Sequence, residues 1–88
     1  MERVSREEIK DRLMKLFSVV SNMDISTIKE TSSLKDDLLL SSSLISALAH
    51  SYTQISESYG GKKITIATAS DIKTVGDAID LVHQRANT

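Results

Sequence analysis

The longest helix predicted for this protein lies in residues 34–61, which read LKDDLLLSSSLISALAHSYTQISESYGG. Three consecutive serines at positions 41–43 precede a helical pattern, and any of them can cap the helix through its hydroxyl oxygen. The apolar residues that follow at spacings of three and four are Leu44, Leu48, Tyr52, Ile55 and Tyr59. Gly60 and Gly61 end the pattern as glycines commonly end helices. The stretch therefore predicts a helix from the serines to the glycine pair.

A second helix is predicted before this one. Ser5 and Glu8 have the spacing of a capping box, in which each side chain binds the other residue's backbone N–H. The apolar stripe that follows is Ile9, Leu13, Leu16, Phe17 and Val20. Residues 24–35 are irregular, and we interpret them as an ordered loop anchored by Ile25, Ile28 and Leu34. The alternative, a mobile lid, is less favoured because the segment has no glycine hinge.

The last helix follows a second capping box formed by Thr74 and Asp77. Its apolar stripe is Val75, Ala78, Ile79 and Val82, with Leu81 beside it. His83 and Arg85 lie in the final turn, where cations suit the helix dipole, and residues 86–88 are expected to fray. Between the two glycines and this helix, KKITIATAS at residues 62–70 has the alternation of a short strand. A lone strand has no partner, so we expect an extended loop and a short helical turn near residues 69–73.

The composition excludes several classes of protein. With 88 residues, 40% hydrophobic and 26% charged, one globular domain spanning residues 1–88 is expected. The absence of cysteine excludes disulfides, thiol catalysis and zinc–thiolate sites. A net charge of −1 provides no basic field for nucleic acid. The apolar runs are too short for a membrane span, and the charged N-terminus does not resemble a signal peptide. We therefore expect a cytoplasmic, all-α bundle of four helices.

Residues suited to catalysis are few. His50 and His83 are the only histidines, and they lie on different predicted helices. Asp36 and Asp37 are adjacent, so their side chains diverge, and we interpret them as first-turn acids that favour the following helix. No nucleophile motif, glycine-rich phosphate loop or metal-ligand spacing is present. The sequence therefore does not indicate an enzyme.

The serine cluster has both a structural and a functional interpretation. Locally it is a plain helix cap, but a hydroxyl there is also compatible with a phosphodiester, since helix N-termini favour anions. The wider segment SSLKDDLLLSSSL, residues 32–44, resembles the phosphopantetheine attachment region of acyl carrier proteins. The family pattern is an apolar residue, three polar or acidic residues, Leu, Gly, an apolar residue, Asp, Ser and Leu. The residues on this frame without a gap are Leu34, Asp36, Asp37, Leu38, Leu40 and Ser42.

The tail resembles the same family independently. Acyl carrier proteins have an Ile after the second helix, a short third helix and an Ile-x-Thr-Val turn that opens the last helix. This chain has Ile64, followed by IKTVGDAIDLV at residues 72–82. The resemblance therefore extends over nearly the whole chain and identifies it as a divergent member of the family.

Three residues depart from the family pattern: Leu39 and Ser41 replace its Gly and Asp, and Ser43 replaces the Leu after the serine. Sliding the frame by one residue restores a Ser-Leu pair at Ser43 and Leu44 but requires an insertion. We therefore prefer Ser42 as the attachment point, with Ser43 as the alternative.

The resemblance implies a fold, a cofactor and partners. The fold is a four-helix acyl-carrier-like bundle with a long loop between helices 1 and 2 and a short third helix. The cofactor is 4′-phosphopantetheine, attached covalently to Ser42 by a phosphopantetheinyl transferase, whose terminal thiol carries acyl thioesters. The partners are acyl-activating, acyltransferase or ketosynthase enzymes of a fatty-acid, polyketide or related specialised pathway, and the carrier is a free-standing monomer. The residues expected to contact partners or the acyl chain are Leu44, Ala47, Leu48, Ser51 and Tyr52.

The predicted second helix has little charge. Residues 42–58 contain one acid, Glu57, and neither lysine nor arginine. We therefore expect partners to recognise this face through packing rather than through charge steering. The alternative is docking on Asp36 and Asp37.

The sequence is also compatible with other functions. The weakened serine motif favours a helical interaction module that kept the fold and lost the prosthetic group. A peptidyl or aminoacyl carrier is a close variant of an acyl carrier, whereas a small enzyme lacks any catalytic constellation.

Overall fold

Four α-helices make up the fold in the computed structural model, which describes residues 4–88. They are α1 (Arg6–Ser21), α2 (Ser42–Ser58), α3 (Ile66–Ser70) and α4 (Val75–Ala86), with a 3-10 turn at Ile25–Thr27. The described residues form no strand. The chain is therefore an all-α bundle with a long loop between α1 and α2 and a short third helix, as predicted. In residues 4–88 no helix has both the length and the apolar character needed to cross a membrane.

Polar side chains cap the predicted helix starts. Thr74 and Asp77 form the full capping box: the Asp77 N–H donates to Thr74 Oγ1 at 3.2 Å, and the Thr74 N–H donates to the Asp77 carboxylate at 3.4 Å. At α1 the Glu8 N–H donates to Ser5 Oγ at 3.2 Å, but the described structure lacks the reciprocal bond. The capping box predicted at Ser5 and Glu8 is therefore only half formed: the Ser5 hydroxyl caps the helix, but the Glu8 side chain does not bind the Ser5 N–H.

The apolar faces of the helices meet in one core. Helix α1 packs on α4, and α2 packs on both α3 and α4. The fully buried side chains include Ile9, Leu13, Phe17, Leu34, Tyr52, Val75, Ala78, Ile79 and Val82. Leu44, Ile55 and Tyr59 are only partly buried, and the inner face of α2 also includes Ile45 and Ala49. The stripe predicted for α2 is thus only partly correct: Leu48 and Tyr52 are buried, but the buried face is turned toward Ile45, Ala49 and Ser56.

An aromatic pair joins α1 to α2. The rings of Phe17 and Tyr52 meet edge to face with centroids 6.4 Å apart. The Tyr52 hydroxyl is buried and has no hydrogen-bond partner within the described part of the chain. Burial raises the pKa of this phenol above its ordinary value, because the charged form would lose its hydration. Tyr52 is therefore a neutral core residue at physiological pH.

The long loop is fastened to the start of α4 by backbone hydrogen bonds. The Leu34 N–H donates to the Lys73 carbonyl at 2.9 Å, and the Val75 N–H donates to the Ser32 carbonyl at 3.0 Å. Ile28 and Leu34 are buried as predicted. The prediction for Ile25 is wrong, since its side chain is 43% exposed. It begins the 3-10 turn that Asp24 caps, which carries the side chain away from the core.

An ion-pair cluster holds the same loop against two helices. The Arg6 guanidinium binds Glu30 at 2.6 Å and Asp80 at 2.8 Å, and the Lys10 ammonium lies 3.5 Å from Glu30. The hydrogen bond to Glu30 is the main reason why the pKa of Arg6 rises, and the same bond lowers the pKa of Glu30. These partly exposed pairs fix the position of the loop more than they add stability.

The short third helix begins earlier than predicted. It occupies Ile66–Ser70 rather than residues 69–73, because Thr65 caps it by accepting a hydrogen bond from the Thr68 N–H at 3.2 Å. The alternative strand at Ile64 does not form. The N–H and the carbonyl of Ile64 instead both bind Thr53 Oγ1 at 3.0 Å. A side chain of α2 therefore takes the place of a strand partner.

The C-terminal residues are more ordered than predicted. Ala86 was expected to fray, but it belongs to α4 and is fully buried. The next residue, Asn87, accepts a hydrogen bond from the Val4 N–H at 3.0 Å and donates to the Val4 carbonyl at 3.1 Å. This amide pairing with the chain's other end holds the last turn in place.

Gly61 is required by a close approach to the end of α4. A Cβ there would lie against the Arg85 carbonyl oxygen and 2.5 Å from the Ala86 Cα. Gly61→Ala is therefore expected to lower the free energy of unfolding by about 1–3 kcal/mol, since backbone atoms must move. Denaturant titration measures this. Gly76→Ala is the control: its nearest contact would be 3.1 Å, so a change below about 1 kcal/mol is expected. Equal effects would contradict the packing at Gly61.

Candidate functional site: the serine turn and its groove

The three serines have different structural roles at the start of α2. Ser41 is the cap, because its hydroxyl oxygen accepts a hydrogen bond from the Leu44 N–H at 3.1 Å. Ser42 is thus the first residue of α2, and Ser43 is the second. Both are exposed, and neither hydroxyl has a hydrogen-bond partner among residues 4–88. The cap function falls on Ser41, so the hydroxyls of Ser42 and Ser43 are available for other chemistry.

The backbone just before the serines has an uncommon conformation. Leu39 has a φ of 57°, in the left-handed region that favours glycine. Its side chain is 81% exposed, so core packing does not compensate for this conformation. Leu39 stands where the family pattern has glycine when the frame ends at Ser42 without a gap. The conformation thus favours the gapless frame over the one that ends at Ser43.

Replacing this leucine with glycine is expected to stabilise the protein. A left-handed L-residue costs about 1–2 kcal/mol, and the extra freedom of glycine in the unfolded chain offsets roughly 0.5–1 kcal/mol. Leu39→Gly should therefore raise the free energy of unfolding by up to about 1 kcal/mol, as measured by denaturant titration. Leu39→Ala keeps the Cβ and should give no comparable gain. A gain of the same size in both variants would contradict the strain at this position.

The acidic residues before α2 belong to a turn, not to the helix. Asp37 accepts a hydrogen bond from the Ser33 N–H at 2.7 Å, and the Asp36 N–H donates to Ser33 Oγ at 3.1 Å. The prediction that Asp36 and Asp37 lie in the first turn of the helix is therefore wrong. Asp37 instead closes a turn that ends where the Leu40 N–H donates to the Leu34 carbonyl at 2.9 Å. This turn sets the position of the serines.

A groove of about 560 Å³ opens beside Ser42. We call it the serine groove. Its walls are Ser33, Lys35 and Asp36 from the turn, Ser42, Ile45 and Ser46 from α2, and Ser70, Ile72 and Lys73 from the segment between α3 and α4. The hydroxyls of Ser46 and Ser70 lie 2.8 Å apart and link α2 to α3. The groove therefore brings together the exposed Ser42, three further serines, two lysines, one acid and two apolar side chains.

A second groove of about 500 Å³ lies farther along α2. Its walls are Ala49, His50 and Thr53 of α2, together with residues 63–67. His50 is exposed, and its Nε2 lies 3.2 Å from the Gln54 amide nitrogen one turn away. His83 is on α4, so the two histidines belong to different helices, as expected.

The residues predicted to contact partners or cargo divide into two groups. Ala47 is exposed, and Leu44 and Ser51 are half-buried. Leu48 and Tyr52 are buried in the core, and neither lines the two grooves described above. Leu48 and Tyr52, two of the residues expected to contact partners or the acyl chain, thus pack in the core in this structure.

The sequence did not indicate that Lys35 and Lys73 line one groove. Lys35 and Lys73 lie far apart in the chain, and no local pattern connects them. The Ile-x-Thr-Val turn was the nearest signal, since it includes Ile72 and Lys73. That turn carries the family resemblance, but nothing in the sequence connects it with a site.

The following experiment tests whether partners bind the exposed face of α2, where residues 42–58 contain one acid and neither lysine nor arginine. Exposed charges are screened over about 10 Å at 0.1 M salt, so association with a partner enzyme through this face should change little between low and moderate salt. Ala47→Glu should weaken that association at least about tenfold, because an unpaired charge would be buried. Asp36→Asn is the comparison variant and should have little effect. A steep loss of the association rate with salt, or a stronger effect of Asp36→Asn, would place recognition on the acidic turn.

The site presents the exposed Ser42 beside a groove lined by Lys35 and Lys73, and neither histidine is among the residues that line this groove. No model of a known protein family matches this chain, and no curated protein matches its sequence at a significant level.

Proposed function

We propose that this protein is an acyl carrier whose Ser42 holds 4′-phosphopantetheine. The observation that carries the proposal is the division of roles among the serines: Ser41 caps α2, whereas the exposed Ser42 lines a groove. The left-handed Leu39 lies at the glycine position of the carrier pattern. The all-α bundle with its long first loop is compatible with the same function.

The residues around Ser42 fit this prosthetic group. The group is anionic at its attachment point and extended beyond it. Ser42 lines the serine groove, whose volume of about 560 Å³ lies within the usual range for small-ligand sites. Lys35 and Lys73 provide positive charge, and Ile45 and Ile72 provide apolar surface.

Each part of the chain has a defined task in this function. When bound, the group supplies the thiol that forms thioesters, so a chain without cysteine can serve in acyl transfer. Ser42 provides the attachment oxygen, and the turn at residues 33–40 sets its position. The exposed face of α2 is available to the transferase and to the acyl-activating, acyltransferase or ketosynthase enzymes of a cytoplasmic pathway.

Intact-mass measurement tests the proposal. The chain is co-expressed with a broad-specificity phosphopantetheinyl transferase, and a gain of one phosphopantetheine per molecule is expected. Tandem mass spectrometry after proteolysis should locate the group on Ser42. The absence of a mass gain with several transferases would overturn the carrier function. It would favour a helical interaction module without the prosthetic group, because Leu39, Ser41 and Ser43 depart from the carrier pattern.

A further inference from the structure

We propose that Lys35 and Lys73 bind the phosphodiester of the arm on Ser42, so that the first part of the arm lies in the serine groove. The inference rests on the carrier function proposed above. It adds the location of the arm and the side chains that hold it.

Lys35 and Lys73 line the same groove because the loop and the start of α4 pair through their backbones. The Leu34 N–H donates to the Lys73 carbonyl at 2.9 Å, and Ser33 forms an isolated antiparallel bridge with Thr74. Lys35 directly follows Leu34 in the chain. The pairing therefore holds both lysines at the groove that Ser42 lines.

The charges in the groove suit a monoanion. Its walls contain two cations, Lys35 and Lys73, and one acid, Asp36. Neither lysine forms an ion pair in the described part of the chain, whereas Arg6 and Lys10 do. A phosphodiester has one negative charge and two unesterified oxygens, so each lysine can donate to one of them. The lysines are exposed, so this binding is weak and sensitive to salt.

The rest of the groove suits the uncharged part of the arm. Ile45 and Ile72 are largely buried and offer apolar surface for its branched methyl groups. The hydroxyls of Ser46 and Ser70 offer partners for its amides. A phosphodiester bound at the lysines would therefore direct the arm along α2 rather than away from the protein.

Amide chemical shifts of the apo and holo protein test this placement. The arm is added with coenzyme A and the transferase, and its presence is checked by mass. We expect the amide signals of Ile45, Ser46 and Ile72 to shift in the holo protein. In the double variant Lys35→Gln/Lys73→Gln the ratio of docked to undocked arm should fall about two- to tenfold, and these shift changes should shrink accordingly. Moderate salt should have the same effect.

The control is Lys15→Gln/Lys62→Gln, which changes the net charge equally. Both of its lysines are exposed and lie outside the serine groove. Groove signals that do not shift in the holo protein, or that respond equally to both double variants, would overturn the inference while the mass gain still supports a carrier. Shifts that appear only with a carboxyl-terminated acyl group on the arm would assign the groove to the cargo and also overturn it. The absence of a mass gain would overturn the inference and the carrier function together.

Discussion

Ser42→Ala is expected to abolish the mass gain that the phosphopantetheinyl transferase produces. The variant removes the hydroxyl at the first position of α2 but leaves the cap, since Ser41 accepts the hydrogen bond from the Leu44 N–H. Its free energy of unfolding should therefore stay near that of the parent chain. A complete loss of loading without a loss of stability can be attributed to the missing oxygen. Intact mass and denaturant titration measure the two effects.

The neighbouring serines provide the matched controls. Ser43→Ala should keep the full mass gain, because the Ser43 hydroxyl lies one residue beyond the proposed attachment point at Ser42. Ser41→Ala should lower the free energy of unfolding by about 1 kcal/mol through loss of the cap and should still allow loading. If Ser43→Ala lost the mass gain and Ser42→Ala kept it, the frame that slides by one residue would be correct instead.

Ile79→Ala is expected to give the largest loss of stability. The side chain is fully buried on the inner face of α4, which packs against both α1 and α2. Its truncation should lower the free energy of unfolding by roughly 2–4 kcal/mol, from lost burial and an unfilled cavity. That is a large share of the stability of a domain of 88 residues.

Ile66→Ala is the matched control, since Ile66 is 65% exposed at the start of α3. Its midpoint in denaturant should move little, because little apolar surface leaves the core. Equal shifts for Ile66→Ala and Ile79→Ala would show that the buried face of α4 has been assigned incorrectly.

Local sequence signals were sufficient where both members of an interaction lie within one helix turn. The Thr74 and Asp77 box is such a case, since a spacing of three residues places the two groups within reach. The same spacing at Ser5 and Glu8 gives only half of a box. The stripe of Val75, Ala78, Ile79 and Val82 is buried as predicted. Thr65 is a weaker capping signal. The sequence therefore predicts the third helix near residues 69–73, whereas α3 begins at Ile66. Ala86 is buried beside Gly61, and Asn87 binds Val4, so contacts between residues far apart in the sequence order the last turn.

The candidate site also has features that the sequence alone indicates and features that depend on tertiary contacts. The sequence by itself determined the helical bundle and the serines at the start of α2, because helical periodicity and capping are short-range properties of the chain. The preference for Ser42 rests on the resemblance to acyl carrier proteins. Only the tertiary structure decided that Ser41 is the cap, that Leu39 is left-handed and that Lys35 and Lys73 border one groove. The groove depends on backbone pairing between the long loop and the start of α4. Residues so far apart are brought together only when burial of Leu34 and Val75 closes the loop, and no local pattern records that step.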